Sequence, residues 1–324
     1  MTIRWPLALL FAVLLLLPLG LQDYLLHMAI QILIWGFVYT GWSVMGRFGQ
    51  VSLGHGAFLG VGAYTTALLW NNFGLVPWIG IPIGVAFAVL LALVIGYPCF
   101  RLKVVGHYFA LVTLALSQVV LLSIVAARDI TGGSLGMTPN SVGQSSWLAL
   151  QFTSKMHWYF VALAVWAFGL WVWVKVDRGM GRAAMEAVSE DETAAAAVGI
   201  NVTREKLRVT VISAAMTAFG GALFGQYQMY LNPETLSGIG VSLQIVFAAI
   251  AGGMYSLLGP TVGALLTIAL TEGLRIGFGT TLIGAANTIY GILLILFIIF
   301  MPRGITGFFG AWTKRRAATA AATT

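Results

Sequence analysis

Apolar runs long enough to cross a lipid bilayer recur along almost the whole chain, and they restrict the fold more than any other feature. Only 8% of the residues are charged, against about a quarter in soluble proteins. In hydrocarbon the backbone must satisfy its own hydrogen bonds, and a helix does so within one segment. We therefore predict an all-α integral membrane bundle. About ten transmembrane or part-spanning helices are expected, near residues 6–21, 25–45, 50–70, 78–100, 106–127, 156–175, 208–229, 241–257, 259–276 and 283–301.

The basic residues between these runs predict which side of the membrane each loop occupies, because short cytoplasmic loops are enriched in Lys and Arg. With the N-terminus inside, fourteen of the 17 basic residues fall in inner loops, and only Arg128, Lys155 and Arg275 fall outside. We therefore expect both termini to be cytoplasmic. Because the positive charge is scattered over segment ends, the net charge of +7 does not indicate a nucleic-acid partner.

Pairs of glycines at positions i and i+4 lie in several apolar runs. Small residues at this spacing let helices approach closely in lipid, where hiding apolar surface gains little. We expect contacts within the chain rather than a dimer seam. The pairs are Gly56 and Gly60, Gly80 and Gly84, Gly221 and Gly225, and Gly259 and Gly263.

One stretch, residues 177–208, differs from the rest because it holds six of the ten acidic residues and no large apolar cluster. The pattern predicts a short helix over 181–188 and a second helix from Glu190, with a capping box that begins at Ser189. Gly199 is a natural left-handed end for this second helix. A helix so short and alanine-rich is marginal alone in water. We therefore expect two short cytoplasmic helices that meet at a corner and lie in the groove of a soluble partner; an ordinary solvated loop is the alternative.

The chain is expected to form one domain, residues 1–324, with two further segments outside the membrane. Residues 128–155 make the longest outer loop, and their Gly, Ser, Asn and Pro content predicts turns. Residues 314–324 end in an Ala- and Thr-rich tail that we expect to be disordered.

Polar side chains within apolar runs are costly in lipid, so we expect them to face the bundle interior or a water-filled path. Glycines surround the first set and predict a broken helix near residues 50–56, where freed backbone groups can bind a small polar solute. A second set lies in the run at 106–127. Helix packing is the alternative role for both sets. The candidate path residues are Gln50, Ser52, His55, Tyr64 and Thr65 in the first set, and Tyr108 and Thr113 in the second.

The sequence contains no catalytic or metal-binding constellation. Cys99 is the only cysteine, which excludes an intrachain disulfide and a thiolate cluster. The four histidines lie on different predicted spans without a nucleophile motif. Glu272 and Arg275 are spaced to pair with each other. We therefore expect a protein that is not an enzyme and that binds neither a metal nor a cofactor itself.

Several segments, in order along most of the chain, are similar to one family. EDETAAAAVGINVTREKL at 190–207 resembles the EAA loop of ABC importer permeases. Thr193, Ser189 and the Met254-Tyr255 pair depart from the usual residues of the family without breaking its pattern. The chain resembles the LivM-type permease subunit of the branched-chain amino acid ABC transporter family. The other matching segments are GQVSLGHGAFLGVGAYTTALL at 49–69, HYFALVTLAL at 107–116, TGGSLGM at 131–137, AGGMYSLLGPTVGA at 251–264 and PRGI at 302–305.

This resemblance implies a multi-pass permease of a bacterial-type inner membrane, working with ABC ATPase subunits, a second permease that is related or identical, and a periplasmic or extracellular solute-binding protein. The sequence has no G-x-x-x-x-G-K-[ST] motif, so ATP and Mg²⁺ are expected on the ATPase. The implied solute is a branched-chain amino acid or another small amino acid, amide, urea or carboxylate. The residues expected to contact the ATPase are Glu186, Ser189, Glu190, Asp191, Glu192, Ala194, Ala195 and Gly199.

Two other functions remain open from the residues alone. A proton- or ion-driven carrier of small polar solutes needs titratable groups within the spans, and Glu272 is almost the only carboxylate placed for that role. An intramembrane enzyme needs a catalytic constellation, which the sequence does not provide.

Overall fold

The computed structural model describes residues 11–278 and, beyond them, residues 288–289, 291–293, 296, 299–300 and 304–307. This part of the chain is helical and contains no β-strand, only two isolated bridges. Among the described residues, six helical segments are long and apolar enough to cross a membrane. The all-α membrane bundle is therefore confirmed, whereas the number of ten spans is not. The predicted span at 283–301 lies mostly, and the tail at 314–324 wholly, outside the described residues.

The predicted run at 6–21 lies partly outside the described residues; its described part is helical at 11–16 and continues as a 3-10 turn, Leu17–Leu19. From residue 23 to residue 278 the helices follow the predicted runs with two differences. The run at 50–70 becomes helical only at His55, because the chain turns at Gly49, whose φ is +78°. The run at 241–257 starts earlier, and an extended Gly238 divides it into two helices. A four-residue helix, Arg128–Thr131, lies in the loop before Lys155. The longer helices are α1 (Asp23–Gly46), α2 (His55–Phe73), α3 (Pro77–Arg101), α4 (His107–Ala126), α5 (Lys155–Arg178), α6 (Met180–Glu190), α7 (Glu192–Ala197), α8 (Val202–Gln228), α9 (Pro233–Ser237), α10 (Ile239–Gly252) and α11 (Gly259–Phe278).

Helix α8 lies at the centre of the bundle and packs against α1, α2 and α3. Glycines make this close packing possible: Gly62 of α2 lies against the backbone of Ala218, and Gly221 of α8 lies against the backbone of Leu59. A side chain at either glycine would overlap the facing backbone. All eight glycines of the i, i+4 pairs contact other parts of this chain, so the prediction of intrachain packing is confirmed.

The loop between α4 and α5 is tied to the neighbouring helix ends by hydrogen bonds. Met137 and Leu231 exchange two backbone hydrogen bonds, of 2.9 and 2.8 Å. The indole N–H of Trp70, near the end of α2, donates to the carbonyl of Asn140 at 2.8 Å. The loop therefore holds the end of α2 next to the segment that connects α8 to α9.

Candidate functional site

Two short helices, α6 and α7, meet at Asp191, and we call this unit the polar corner. Asp191 is extended, and its carboxylate accepts hydrogen bonds from the backbone N–H of Thr193 (2.7 Å) and of Ala194 (3.0 Å). The N–H groups of Ala194 and Thr193 lower the pKa of Asp191, because they stabilise the ionised carboxylate. The predicted capping box at Ser189 is wrong. Helix α6 continues through Ser189 to Glu190, and the carboxylate that follows caps α7 instead.

The end of the polar corner follows the local chemistry of the sequence. Gly199 adopts a left-handed conformation, with φ of +88°, and ends α7 as predicted. The side-chain oxygen of Asn201 then accepts a hydrogen bond from the N–H of Arg204 at 3.0 Å and caps α8. The prediction of two short helices joined at a corner is therefore confirmed.

The polar corner has a buried side and an exposed side. Met185, Val188 and Ala195 are buried against the chain, with Ala195 only 3% exposed. Ala194 is exposed, and Val198 is 77% exposed. Ala195 was predicted as a contact to a partner, but its position in α7 turns its methyl group inward. The surface available to a partner is centred on Ala194 and Val198.

An ion-pair network fixes one end of the polar corner to the membrane helices. Asp177, at the end of α5, lies 3.0 Å from the guanidinium of Arg47 and 3.1 Å from that of Arg182. Arg47 directly follows α1, and its side chain is buried over the ring of Trp173, 4.4 Å from the centroid. Arg182 also binds Glu186 at 2.7 Å, so this predicted partner contact is occupied within α6.

A second ion pair fixes the other helix of the polar corner. Glu192, at the start of α7, binds the ammonium group of Lys206 on α8. The Lys206 side chain is only 8% exposed and lies over the ring of Phe100, 5.6 Å from the centroid. Helix α7 is therefore bonded directly to the central helix of the bundle.

A small cavity of about 110 Å³ joins the polar corner to the segment before α2. Its lining includes Ser189, Glu192 and Lys206 on one side and Gly49 and Gln50 on the other. The hydroxyl of Ser189 lies 3.5 Å from the place that a Cβ would take on Gly49. The end of α6 thus contacts the first residues of the broken segment.

Residues 47–54 form a non-helical connection between α1 and α2, which we call the break segment. It is partly buried, with Gln50, Ser52 and Gly54 inside and Gly49 and Val51 exposed. Side chains hold it: the indole of Trp42 donates to the carbonyl of Ser52 at 2.9 Å, and the N–H of Leu53 donates to the hydroxyl of Thr113 at 3.0 Å. His55, directly after it, lies 2.8 Å from the hydroxyl of Ser213. The prediction of a broken helix near residues 50–56 is confirmed, and Ser52, His55 and Thr113 lie together around it.

Four residues from α2, α4, α9 and α10 meet beside the break segment, and we call them the polar junction. The N–H of Gly56 donates to the hydroxyl of Ser242 at 3.0 Å, and this hydroxyl lies 3.1 Å from that of Ser117. Ser117 donates to the carbonyl of Ser237 at 2.7 Å. Sequence analysis missed Ser237 and Ser242, although the Asn232-Pro233 pair signals a helix start shortly before them.

Of the other candidate path residues, Gln50 lies within the break segment, whereas Tyr64, Thr65 and Tyr108 lie outside it. Tyr64 is buried, and its hydroxyl donates to the carbonyl of Leu231 at 3.1 Å. Thr65 is partly buried and, with Tyr64, lines a largely apolar groove of about 590 Å³ between α2, α3 and α4. Tyr108 is 74% exposed and is not brought to the break segment. Gln50 is buried, with its side-chain oxygen 3.2 Å from the hydroxyl of Thr210.

Acid–base chemistry is sparse within the described residues. No three His, Cys, Asp or Glu side chains there come together to hold a metal ion. The carboxylate of Glu272 binds the guanidinium of Arg275 at 2.6 Å, as the spacing predicted, and also accepts from the hydroxyl of Tyr24 at 2.8 Å. Tyr24 lies in the first turn of α1, so this pair sits at a helix end.

Comparison with known proteins agrees with this architecture. Residues 24–302 match the family described as "Branched-chain amino acid transport system / permease component". The high-affinity branched-chain amino acid transport system permease protein LivM of Escherichia coli K12 is 31% identical over 81% of this chain, and that of Salmonella typhimurium is 30% identical over the same share. The matched chain spans 65% of the length of these relatives. The permease protein LivH of Salmonella typhimurium is 26% identical over 82% of this chain and 88% of its own length.

The family match covers most of the chain and includes the break segment, the polar corner and the polar junction. The resemblance to LivM-type permeases is thereby confirmed. The protein belongs to the family of permease components of branched-chain amino acid transport systems.

Proposed function

We propose that this chain is the transmembrane permease subunit of an ATP-binding cassette importer that moves branched-chain amino acids or related small solutes. The polar corner carries the proposal, because its exposed side offers a docking face while its buried side is bonded to the membrane helices. ATP and Mg²⁺ belong to a separate ATPase subunit, since this sequence has no phosphate-binding motif of its own.

The polar corner is suited to transmit movement from the ATPase. Asp177 connects it to the end of α1 through Arg47, and Glu192 connects it to α8 through Lys206. A tilt of α6 would also press Ser189 on Gly49 and so reach the break segment. Because Glu186 and Glu192 are engaged in ion pairs and Ala195 is buried, we assign the ATPase contact to Ser189, Glu190, Asp191, Ala194, Val198 and Gly199.

We place the solute path beside the break segment and the polar junction. Small hydroxyls and backbone groups there suit the polar end of an amino acid, whereas the apolar groove that Tyr64 and Thr65 line suits an aliphatic side chain. The groove is open along α3 and α4. A second permease subunit, packed on these two helices, would close it.

The remaining partners follow from the family. Relatives of this chain carry two permease names, LivM and LivH, which supports a pair of related chains. A solute-binding protein would dock on the outer loop, residues 128–155. The distribution of Lys and Arg favours an inner-membrane protein with both termini cytoplasmic.

A proton-driven carrier is the weaker candidate. Its best carboxylate, Glu272, is bonded to Arg275 and to Tyr24 at the first turn of α1. A carboxylate held by a cation at a helix end is poorly placed to carry protons across the bilayer.

Co-purification with an ABC ATPase subunit from the same organism tests the proposal. Val198→Arg should weaken association about tenfold or more, since burying a valine side chain is worth about 1.5–3 kcal/mol. Val142→Arg makes the same change at a residue of the outer loop that is 40% exposed and should leave the ATPase bound. Undiminished association of Val198→Arg would remove the coupling role. Uptake into vesicles that needs a proton gradient and no ATP would favour the carrier.

A further inference from the structure

A second polar cavity, of about 120 Å³, lies between α1, α10 and α11, and we call it the acceptor pocket. Its polar lining includes His27 and Gln31 of α1, Gln244 of α10, and Thr271 and Glu272 of α11. Polar groups around a void between helices are costly unless a polar occupant satisfies them. None of these residues contributes to the polar corner or to the break segment.

The two amide side chains of the pocket have their nitrogens engaged. The amide nitrogen of Gln31 lies 3.1 Å from Nε2 of His27, and an amide nitrogen only donates, so the ring nitrogen accepts. The amide nitrogen of Gln244 donates to the hydroxyl of Tyr39 at 3.1 Å. Within the described part of the chain, the side-chain oxygens of both glutamines have no hydrogen-bond donor and remain free to accept.

The other polar side chains of the pocket also present acceptors. Thr271 gives its hydroxyl proton to the carbonyl of Thr267 at 2.8 Å, which leaves the oxygen lone pairs for the cavity. The hydroxyl of Tyr24 and the guanidinium of Arg275 both contact Oε2 of Glu272. Oε1 of Glu272 receives no donor from the residues that the structure describes. The pocket thus combines two amide oxygens, the hydroxyl oxygens of Thr267 and Thr271, and one carboxylate oxygen.

We propose that the acceptor pocket binds a primary ammonium group. An ammonium has three donors and no acceptor, so it complements the free side-chain oxygens of this pocket, which all accept. Glu272 supplies the opposite charge, and Arg275 on its other oxygen keeps the affinity modest. The volume corresponds to about four water molecules, which admits an ammonium group with a short part of its carbon chain. The α-ammonium of an amino acid and a free amine or ammonium ion share this chemistry.

Ligand binding to the purified full-length chain tests the proposal, with the fluorescence of Trp35, which also lines the cavity, as the readout. The probes are leucine, 3-methylbutylamine, which keeps the ammonium without the carboxylate, and 4-methylpentanoate, which keeps the carboxylate without the ammonium. Leucine and the amine should give a saturable change, and 4-methylpentanoate should not. A response to ammonium chloride as strong as that to leucine would identify the free ion as the occupant.

Variants connect this binding to the pocket. Gln244→Leu and Thr271→Val each remove one acceptor of a charged group, so each should weaken binding of the amine about tenfold or more. Thr153→Val makes the same change as Thr271→Val at an exposed residue of the outer loop and should leave binding unchanged. Equal responses to 4-methylpentanoate or to sodium chloride, or unchanged binding in both pocket variants, would overturn the proposal.

This inference goes beyond the importer function and can fail separately from it. The pocket variants lie on α10 and α11, whereas the docking face for the ATPase lies on α6 and α7. If the amine does not bind, the Val198→Arg variant should still lose its association with the ATPase. Conversely, ATPase association that survives Val198→Arg would not alter amine binding.

Discussion

The ion pair between Lys206 and Glu192 predicts unequal effects when either charge is removed. The Lys206 side chain is 8% exposed, whereas that of Glu192 is 31% exposed. Glu192→Gln leaves an uncompensated ammonium in a buried site, which costs about 3 kcal/mol. Lys206→Met removes the buried charge and keeps the bulk of the stem, while Glu192 regains water. Its cost should be that of a surface pair, about 0.5–1 kcal/mol.

Hydrogen–deuterium exchange in α7 measures this difference. The amides of Ala195 and Val198 donate to the carbonyls of Asp191 and Ala194, at 3.0 and 3.3 Å. A six-residue helix has little stability alone, so Glu192→Gln should bring both amides to the exchange rate of an unfolded peptide. Lys206→Met should accelerate exchange only about two- to fivefold.

The double variant supplies the control for this experiment. Glu192→Gln combined with Lys206→Met leaves no buried charge, so its exchange should resemble that of Lys206→Met alone. Equal acceleration in the two single variants, or a larger effect of Lys206→Met, would refute the argument from their different exposure.

Three further predictions concern the cap, the break segment and the core. The pKa of Asp191 is lowered in the fold, so its capping contribution is present at neutral pH and is lost as the pH falls through that lowered pKa. Amide exchange in α7 should accelerate at this step, and Asp191→Ala, which lacks the capping carboxylate, should exchange faster at neutral pH and show no step. Thr113→Val removes the acceptor of the Leu53 N–H and should cost about 1–3 kcal/mol, seen as a lower melting temperature in detergent, whereas Thr113→Ser should melt normally. Gly62→Leu forces a side chain into the backbone of Ala218 and should abolish the monodisperse peak in size-exclusion chromatography; a normal peak would show that the two helices can separate.

The spans were predictable wherever hydropathy alone decides the structure, and a break near residues 50–56 was predictable too, but the residues at which the breaks begin and end were not. Val51 and Leu53 continue the apolar pattern through the break segment, although the backbone has already turned at Gly49. Glycine density indicated a break without showing which glycine adopts a positive φ. The side-chain oxygen of Asn232 accepts a hydrogen bond from the N–H of Glu234 at 2.9 Å and caps α9. Asn232 is a local signal of a helix start, but the apolar pattern placed the start of this run at residue 241.

In the candidate site, too, features that depend on the local sequence could be predicted, and features that depend on distant contacts could not. Gly199 could be predicted as a helix end because its conformation depends on its own backbone. Which residue caps α7, Asp191 or Ser189, could not be predicted, because Asp and Ser are both good caps and the outcome depends on where α6 ends. The contact of Gly56 with Ser242 joins residues 186 positions apart, and only tertiary packing reveals it.

The two backbone hydrogen bonds between Met137 and Leu231 control how fast the loop between α4 and α5 can open. Leu231 directly precedes Asn232, the cap of α9. The loop between α4 and α5 therefore cannot detach from this segment without breaking the two backbone hydrogen bonds beside that cap. The amides of Met137 and Leu231 should therefore exchange at one common rate, set by a shared opening event. The same opening would limit how quickly α9 can be displaced and, through Gly238, how quickly the polar junction can rearrange.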